Sequence, residues 1–143
     1  MSSRQKQQGT RWETLRARSW RALGLHADRH PLKGRDDTND VWISHPVDGW
    51  SEQDKAVEQL NIHKCVEGAV AKAGHLRTLV AWKRLPPKKD GQSRRRTDTL
   101  PAIVACHPKT AAVLLLAYEE LRARDPEAAR ALWQQVDEPD SGQ

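Results

Sequence analysis

The stretch WSEQDKAV, residues 50–57, decides the fold, and it supports two incompatible interpretations. As a β-strand, it places Gln53 and Lys55 on one face, because successive side chains of a strand alternate. As a helix start, Ser51 to Asp54 form an S-x-x-D capping signal. Lys55 would then be an exposed lysine of the first helical turn, without a chemical role.

The segments on either side predict an α/β protein. VWISHPV alternates and is rich in β-branched residues, which is typical of a strand, and the Asp48-Gly49 pair that follows it favours a hairpin turn. Helical patterns and two further apolar strands complete the chain. The predicted elements are a helix from Thr10, strands over 41–47 and 50–57, a helix over 58–73, strands over 77–83 and 100–107, and helices that open at Pro108 and Pro126.

This order predicts one layered α/β domain with a mixed central sheet flanked by helices. The domain is expected over residues 10–136. A flexible basic N-terminus, residues 1–9, would precede it, and an acidic tail, residues 137–143, would follow it.

Charge is distributed unevenly along the 143 residues, which carry a net charge of +5. Residues 1–35 hold nine Arg and Lys against two acidic residues, whereas residues 119–140 hold seven acidic residues against three Arg. A basic front with an acidic tail indicates a polyanionic partner, most simply DNA. The alternative is a basic flexible arm without a dedicated ligand.

The sequence argues against a membrane protein and against a disulfide-stabilised one. No apolar run approaches the 18 or so residues of a membrane span, and the N-terminus lacks the apolar centre of a secretory signal. Two cysteines, Cys65 and Cys106, do not make a disulfide framework. A reducing cytoplasm fits this composition best.

The segment over residues 83–96, KRLPPKKDGQSRRR, is the strongest candidate for contact with DNA. Its basic side chains would neutralise phosphates and carry no evident base readout. The alternative is a disordered surface hairpin. The candidate DNA-binding residues are Lys88, Lys89, Arg94, Arg95 and Arg96.

A set of acidic residues and a lysine suggests phosphodiester hydrolysis. This chemistry uses Mg²⁺ or Mn²⁺ held by oxygen ligands, with a lysine that orients the nucleophile or stabilises the transition state. Asp40 directly precedes the strand over 41–47, and Lys55 lies on the next strand if 50–57 is extended. Glu13 could face the same cleft from the first helix, although with Thr10 it also forms a T-x-x-E capping box.

These segments together resemble the PD-(D/E)xK nucleases, in particular the small Holliday-junction-resolvase-like nucleases of phages and prophages. The likeness covers about residues 9–107, in GTRWETLRARSWRALGL, DRHPLKGRDDTNDVWI, QDKAV and TLVAWKR. It implies a restriction-endonuclease-like fold, branched DNA as substrate and Mg²⁺ or Mn²⁺ as cofactor. It also implies a homodimer in a bacterial or phage-infected cell.

By position, the resemblance makes Glu13 the helix glutamate, Asp40 the metal-binding aspartate and Lys55 the catalytic lysine of E-x-K. The acidic residue of that motif is Gln53 here. An amide oxygen can coordinate a cation, but one negative charge is lost and metal affinity falls.

Two neighbours of Gln53 also depart from the motif. Glu52 carries a carboxylate, yet from a strand it reaches the metal only through a β-bulge. The middle position of the motif, usually apolar and buried, is Asp54, whose burial without a partner is costly.

Three functions follow as hypotheses. The first is a metal-dependent DNA endonuclease that cuts Holliday junctions or other branched DNA. The second is a DNA-binding protein on the same fold that has lost catalysis. The third is a small phage accessory protein that binds a protein partner through its basic face.

Overall fold

The computed structural model describes residues 3–30, 39–44, 48–86 and 102–137. The chain divides into two compact units, Met1–His107 and Pro108–Gln143. The elements are α1 (Ser3–Ala22), β1 (Ala27–Arg29), β2 (Val41–Ile43), β3 (Trp50–Val57), α2 (Ile62–Ala73), β4 (Thr78–Arg84), β5 (Ala102–Cys106), α3 (Pro108–Arg124) and α4 (Pro126–Asp137).

The first unit is built on a five-stranded mixed sheet in the order β1-β2-β3-β4-β5. The pairs β1–β2, β2–β3 and β4–β5 are antiparallel. The pair β3–β4 is parallel, and α2 forms the crossover that a parallel pair requires. The predicted α/β class with a mixed sheet is therefore confirmed.

Residues 50–57 form the central strand β3, so the interpretation of this stretch as a helix start is wrong. Ser51 lies within the strand opposite Trp42 of β2. The helix that follows begins at Ile62, where the side chain of Asn61 accepts a hydrogen bond from the Lys64 backbone N–H. It ends at Gly74, whose φ of 71° is the left-handed conformation typical of glycine at a helix end.

Helices α1 and α2 pack on opposite faces of the sheet. We call one side of the sheet the α1 face. It carries Ala27, Val41 and Leu79, which form an apolar cluster with Ala17 of α1. Because side chains alternate along each strand, Glu52 shares this face, since it lies opposite both Val41 and Leu79.

We call the opposite side of the sheet the α2 face. Ser51, Gln53 and Lys55, at alternate positions of β3, lie on it. Helix α2 is joined to this side through the backbone oxygen of Ala69, which accepts a hydrogen bond from Asn39 at 3.1 Å. The same Asn39 side chain donates to Ser51 at 3.1 Å.

Three local features differ from the sequence predictions. The helix predicted from residue 58 begins at Ile62, because Asn61 caps it there. Helix α1 begins at Ser3 rather than at Thr10. The backbone carbonyl of Thr10 accepts a hydrogen bond of 2.8 Å from the Thr14 hydroxyl. Such a bond to the carbonyl four residues earlier is found inside helices. Strand β1 (Ala27–Arg29) was not predicted, because three residues are too few to show alternation.

The second unit is a pair of helices, α3 and α4. The indole of Trp133 donates a hydrogen bond of 2.7 Å to the Tyr118 hydroxyl, and the two rings meet edge to face. Across the part of the chain that the structure describes, no helix has the length and apolar character needed to cross a membrane.

Candidate active site

The predicted site residues Asp40, Gln53 and Lys55 lie on the α2 face of the sheet by strand alternation, and Asp40 and Gln53 are in contact. Asp40 lies just before β2. Its backbone N–H donates to the Glu52 backbone carbonyl at 2.9 Å, and its backbone carbonyl accepts from the His30 backbone N–H at 2.7 Å. Its carboxylate accepts hydrogen bonds from the Gln53 side-chain amide and from the Asp54 backbone N–H at 2.7 Å. The sheet therefore joins the aspartate before β2 to the Q-x-K of β3.

The orientation of Asp40 depends on the residue before it. Asn39 is fully buried and has a φ of 84°, which asparagine tolerates better than most residues. Its side chain is held by Ser51 and by the Ala69 carbonyl. Asn39 was not singled out from the sequence, because a positive φ leaves no periodic signal.

A second lysine, also missed from the sequence, joins the site from α2. The ammonium of Lys72 donates to the side-chain oxygen of Gln53 at 3.4 Å. Burial raises the pKa of the Cys65 thiol, the charges of Lys55 and Lys72 lower it, and the charge of Asp40 raises it. The charges of both lysines and of Asp40 are thus all felt at Cys65 of α2.

Glu52 and Glu13 lie on the other side of the sheet. Glu52 is fully buried and accepts hydrogen bonds of 2.8 and 2.9 Å from Arg16 and one of 3.1 Å from Trp20. Glu13 pairs with Arg29, which shares the α1 face with Ala27 because they are two residues apart on β1. The structure does not bring either glutamate to the Asp40 carboxylate, and their assignment as metal ligands stays a prediction.

The α1 face also holds the side chain of Asp54, which is 7% exposed. Burial, followed by the nearby charges of Glu52 and Asp40, raises the pKa of this carboxyl to about 10. Among the described residues, no donor reaches its oxygens, and a proton on Asp54 would be shared with Glu52. Burying a charged carboxylate here would be energetically costly, and a carboxyl that stays protonated and neutral avoids that cost.

The donors on the α2 face can be compared with what a divalent cation needs. Asp40 offers a carboxylate and Gln53 an amide oxygen, and both are ligand types that Mg²⁺ accepts. Within residues 3–30, 39–44, 48–86 and 102–137, no group of three or more His, Cys, Asp or Glu is placed to hold a metal. Since Mg²⁺ is commonly bound by one or two carboxylates together with substrate phosphates, the pair fits a cation shared with a phosphate.

The predicted DNA-binding residues Lys88, Lys89, Arg94, Arg95 and Arg96 lie outside the described residues. Searches against protein-family models, curated proteins and solved structures gave no match to this chain.

Proposed function

We propose that the protein is a metal-dependent DNA endonuclease, with branched DNA such as a Holliday junction as its substrate. One observation carries the proposal: Asp40, just before β2, lies on the same face of the sheet as Gln53 and Lys55 of β3, and Asp40 and Gln53 are hydrogen-bonded. The strand β3, which carries Gln53 and Lys55, lies at the centre of the sheet between β2 and β4.

In this proposal Asp40 and the amide oxygen of Gln53 would hold Mg²⁺ or Mn²⁺ together with a phosphate of the DNA. The cation would lower the pKa of a bound water and neutralise charge on the phosphate. Lys55 would stabilise the negative charge that develops on the phosphate. Asn39 would keep the Asp40 carboxylate aimed at the same point, because its buried side chain is tied to β3 and α2.

A second candidate is a DNA-binding protein on the same fold without cleavage. It is favoured by the hydrogen bonds that Asp40 accepts from Gln53 and from the backbone of Asp54. These donors occupy a carboxylate oxygen that a cation would need. Lys55 and Lys72 would then serve as phosphate contacts, and binding would weaken steeply with salt.

A cleavage assay separates the two candidates. Labelled four-way junction and linear duplex are incubated with the protein in Mg²⁺, Mn²⁺ or EDTA, beside the variants Asp40→Asn and Lys55→Ala. The endonuclease proposal predicts metal-dependent cuts that both variants lose. Salt-sensitive binding without cuts supports the second candidate, and neither cuts nor binding contradicts both.

Two cuts in a four-way junction need two active sites, so we propose a homodimer as the working form. Several large apolar side chains of α3 are exposed and could contribute an interface: Val113, Leu114, Leu115 and Leu116. Sedimentation equilibrium would give twice the monomer mass. A monomer at the concentrations that support cleavage would contradict this part of the proposal.

The proposed compartment is the cytoplasm of a bacterial or phage-infected cell. Cys65 and Cys106 are free thiols, which is compatible with a reducing compartment. Fractionation of cells that express the protein would test the compartment directly.

A further inference from the structure

The orientation of the Gln53 side-chain amide follows from its two partners. The Asp40 carboxylate only accepts hydrogen bonds, whereas the Lys72 ammonium only donates them. The amide nitrogen therefore faces Asp40, and the amide oxygen faces Lys72 at 3.4 Å. Gln53 is 6% exposed, so water has little access to its amide.

This orientation points the wrong atom at Asp40 for cation binding. A cation beside Asp40 needs the oxygen of Gln53, which requires the amide to turn by about half a rotation. The turned amide would set its N–H₂ group against the Lys72 ammonium, placing two donors face to face. Lys72 therefore opposes cation binding through Gln53 as well as through its own charge.

We propose that Lys72 is a phosphate-responsive lock on Gln53: a DNA phosphate that engages the Lys72 ammonium frees the amide to turn its oxygen toward Asp40. This inference rests on the proposed metal-dependent function. Lys72 is exposed on α2, so an approaching phosphate can reach it. Since both ligands favour the same turned amide, DNA and metal strengthen each other's binding, as linkage requires.

The first test reads the amide directly and needs neither metal nor activity. The side-chain N–H₂ signals of Gln53 are assigned by ¹⁵N NMR in the wild type, in Lys72→Met and in Lys64→Met, a matched lysine change on the same helix. The lock predicts that Lys72→Met shifts the Gln53 signals and speeds their exchange with solvent. Lys64→Met leaves them unchanged. Identical Gln53 signals in all three proteins overturn the proposal.

The second test separates the lock from simple charge repulsion. Mn²⁺ affinity of the DNA-free protein is measured for the wild type, Lys72→Met, Gln53→Leu and the double variant. A lost charged hydrogen bond corresponds to about a tenfold gain in affinity for Lys72→Met. The lock predicts that this gain disappears in the Gln53→Leu background. An equal gain in both backgrounds shows charge alone and overturns the proposal.

Failure of the lock differs from failure of the proposed function. If Lys72→Met binds Mn²⁺ no more tightly than the wild type does, while the wild type cuts a junction, the lock is wrong and the proposed nuclease function stands. If neither the wild type nor any variant cuts DNA in Mn²⁺, and none of these proteins binds Mn²⁺ with or without a DNA duplex, both the lock and the proposed function are wrong. A tenfold gain that depends on Gln53 supports both.

Discussion

The buried Asp54 should make the protein less stable as the pH rises, and Asp54→Asn should remove that dependence. The folded carboxyl has a pKa of about 10, against about 3.9 in an unfolded chain. Between these values the folded state holds one more proton than the unfolded state. The free energy of unfolding therefore retains this contribution fully below about pH 4 and loses it as pH rises toward 10.

The magnitude follows from that single proton. Each pH unit inside the window lowers the free energy of unfolding by about 1.4 kcal/mol. From pH 5 to pH 8 the loss attributable to Asp54 reaches up to about 4 kcal/mol. An asparagine is neutral at every pH and can still donate to Glu52, so it should not show this loss.

Urea unfolding at pH 5, 6, 7 and 8, followed by tryptophan fluorescence, measures the effect. The difference in unfolding free energy between Asp54→Asn and the wild type should grow steadily with pH. Ionisable groups that the two proteins share contribute equally to both and cancel in the difference. Glu67→Gln, an exposed carboxylate on α2, serves as the control and should run parallel to the wild type. A constant difference between Asp54→Asn and the wild type would refute the reasoning.

Three further changes test other parts of the structure. Arg16→Ala leaves the Glu52 carboxylate buried without its cation and should cost about 3–5 kcal/mol of stability by urea unfolding; a loss under 1 kcal/mol would contradict the buried pair. Gln53→Glu adds a second carboxylate beside Asp40 and should tighten Mn²⁺ binding about tenfold by calorimetry; unchanged affinity would argue against a cation at this point. Gly74→Ala places a Cβ in open space but at a φ of 71°, so it should cost about 1 kcal/mol by the same unfolding assay. No loss would show that the helix end adapts.

The sequence offered the strand interpretation of residues 50–57, but it did not decide between that strand and a helix start. Alternation in WSEQDKAV predicted Gln53 and Lys55 on one face and Glu52 on the other. The strand is confirmed, and Glu52 contacts Arg16 of α1 whereas Gln53 contacts Lys72 of α2. The S-x-x-D pattern at Ser51 was equally visible. The strand is formed because its residues pair with both β2 and β4, and such pairing is a tertiary effect that a local capping pattern does not encode.

The start of the first helix shows the same limit. The T-x-x-E pattern at Thr10 and Glu13 predicts the start of a helix, but this spacing also occurs inside a helix. In the structure Glu13 binds Arg29 of β1. A contact across this chain distance cannot be recognised until the position of β1 is known.

The candidate site was predictable where its residues lie beside a strand. Asp40 precedes β2 and Lys55 follows the alternation of β3, so both positions followed from the local pattern. Lys72 and Asn39 were not predictable, because each contributes through contacts between elements that are distant in sequence. The charges that surround the Asp54 carboxyl, those of Glu52 and Asp40, were equally hidden, although the cost of burying this residue was visible.

The most direct test of the central claim is the rate at which the wild type and Asp40→Asn cut a labelled four-way junction in Mn²⁺ under single-turnover conditions. Matched purification of both proteins makes any contaminating nuclease common to the two. An active site at Asp40 predicts cleavage by the wild type and a loss of at least about a hundredfold in Asp40→Asn. Equal rates in the two proteins, or no cleavage by the wild type, would contradict an active site at Asp40.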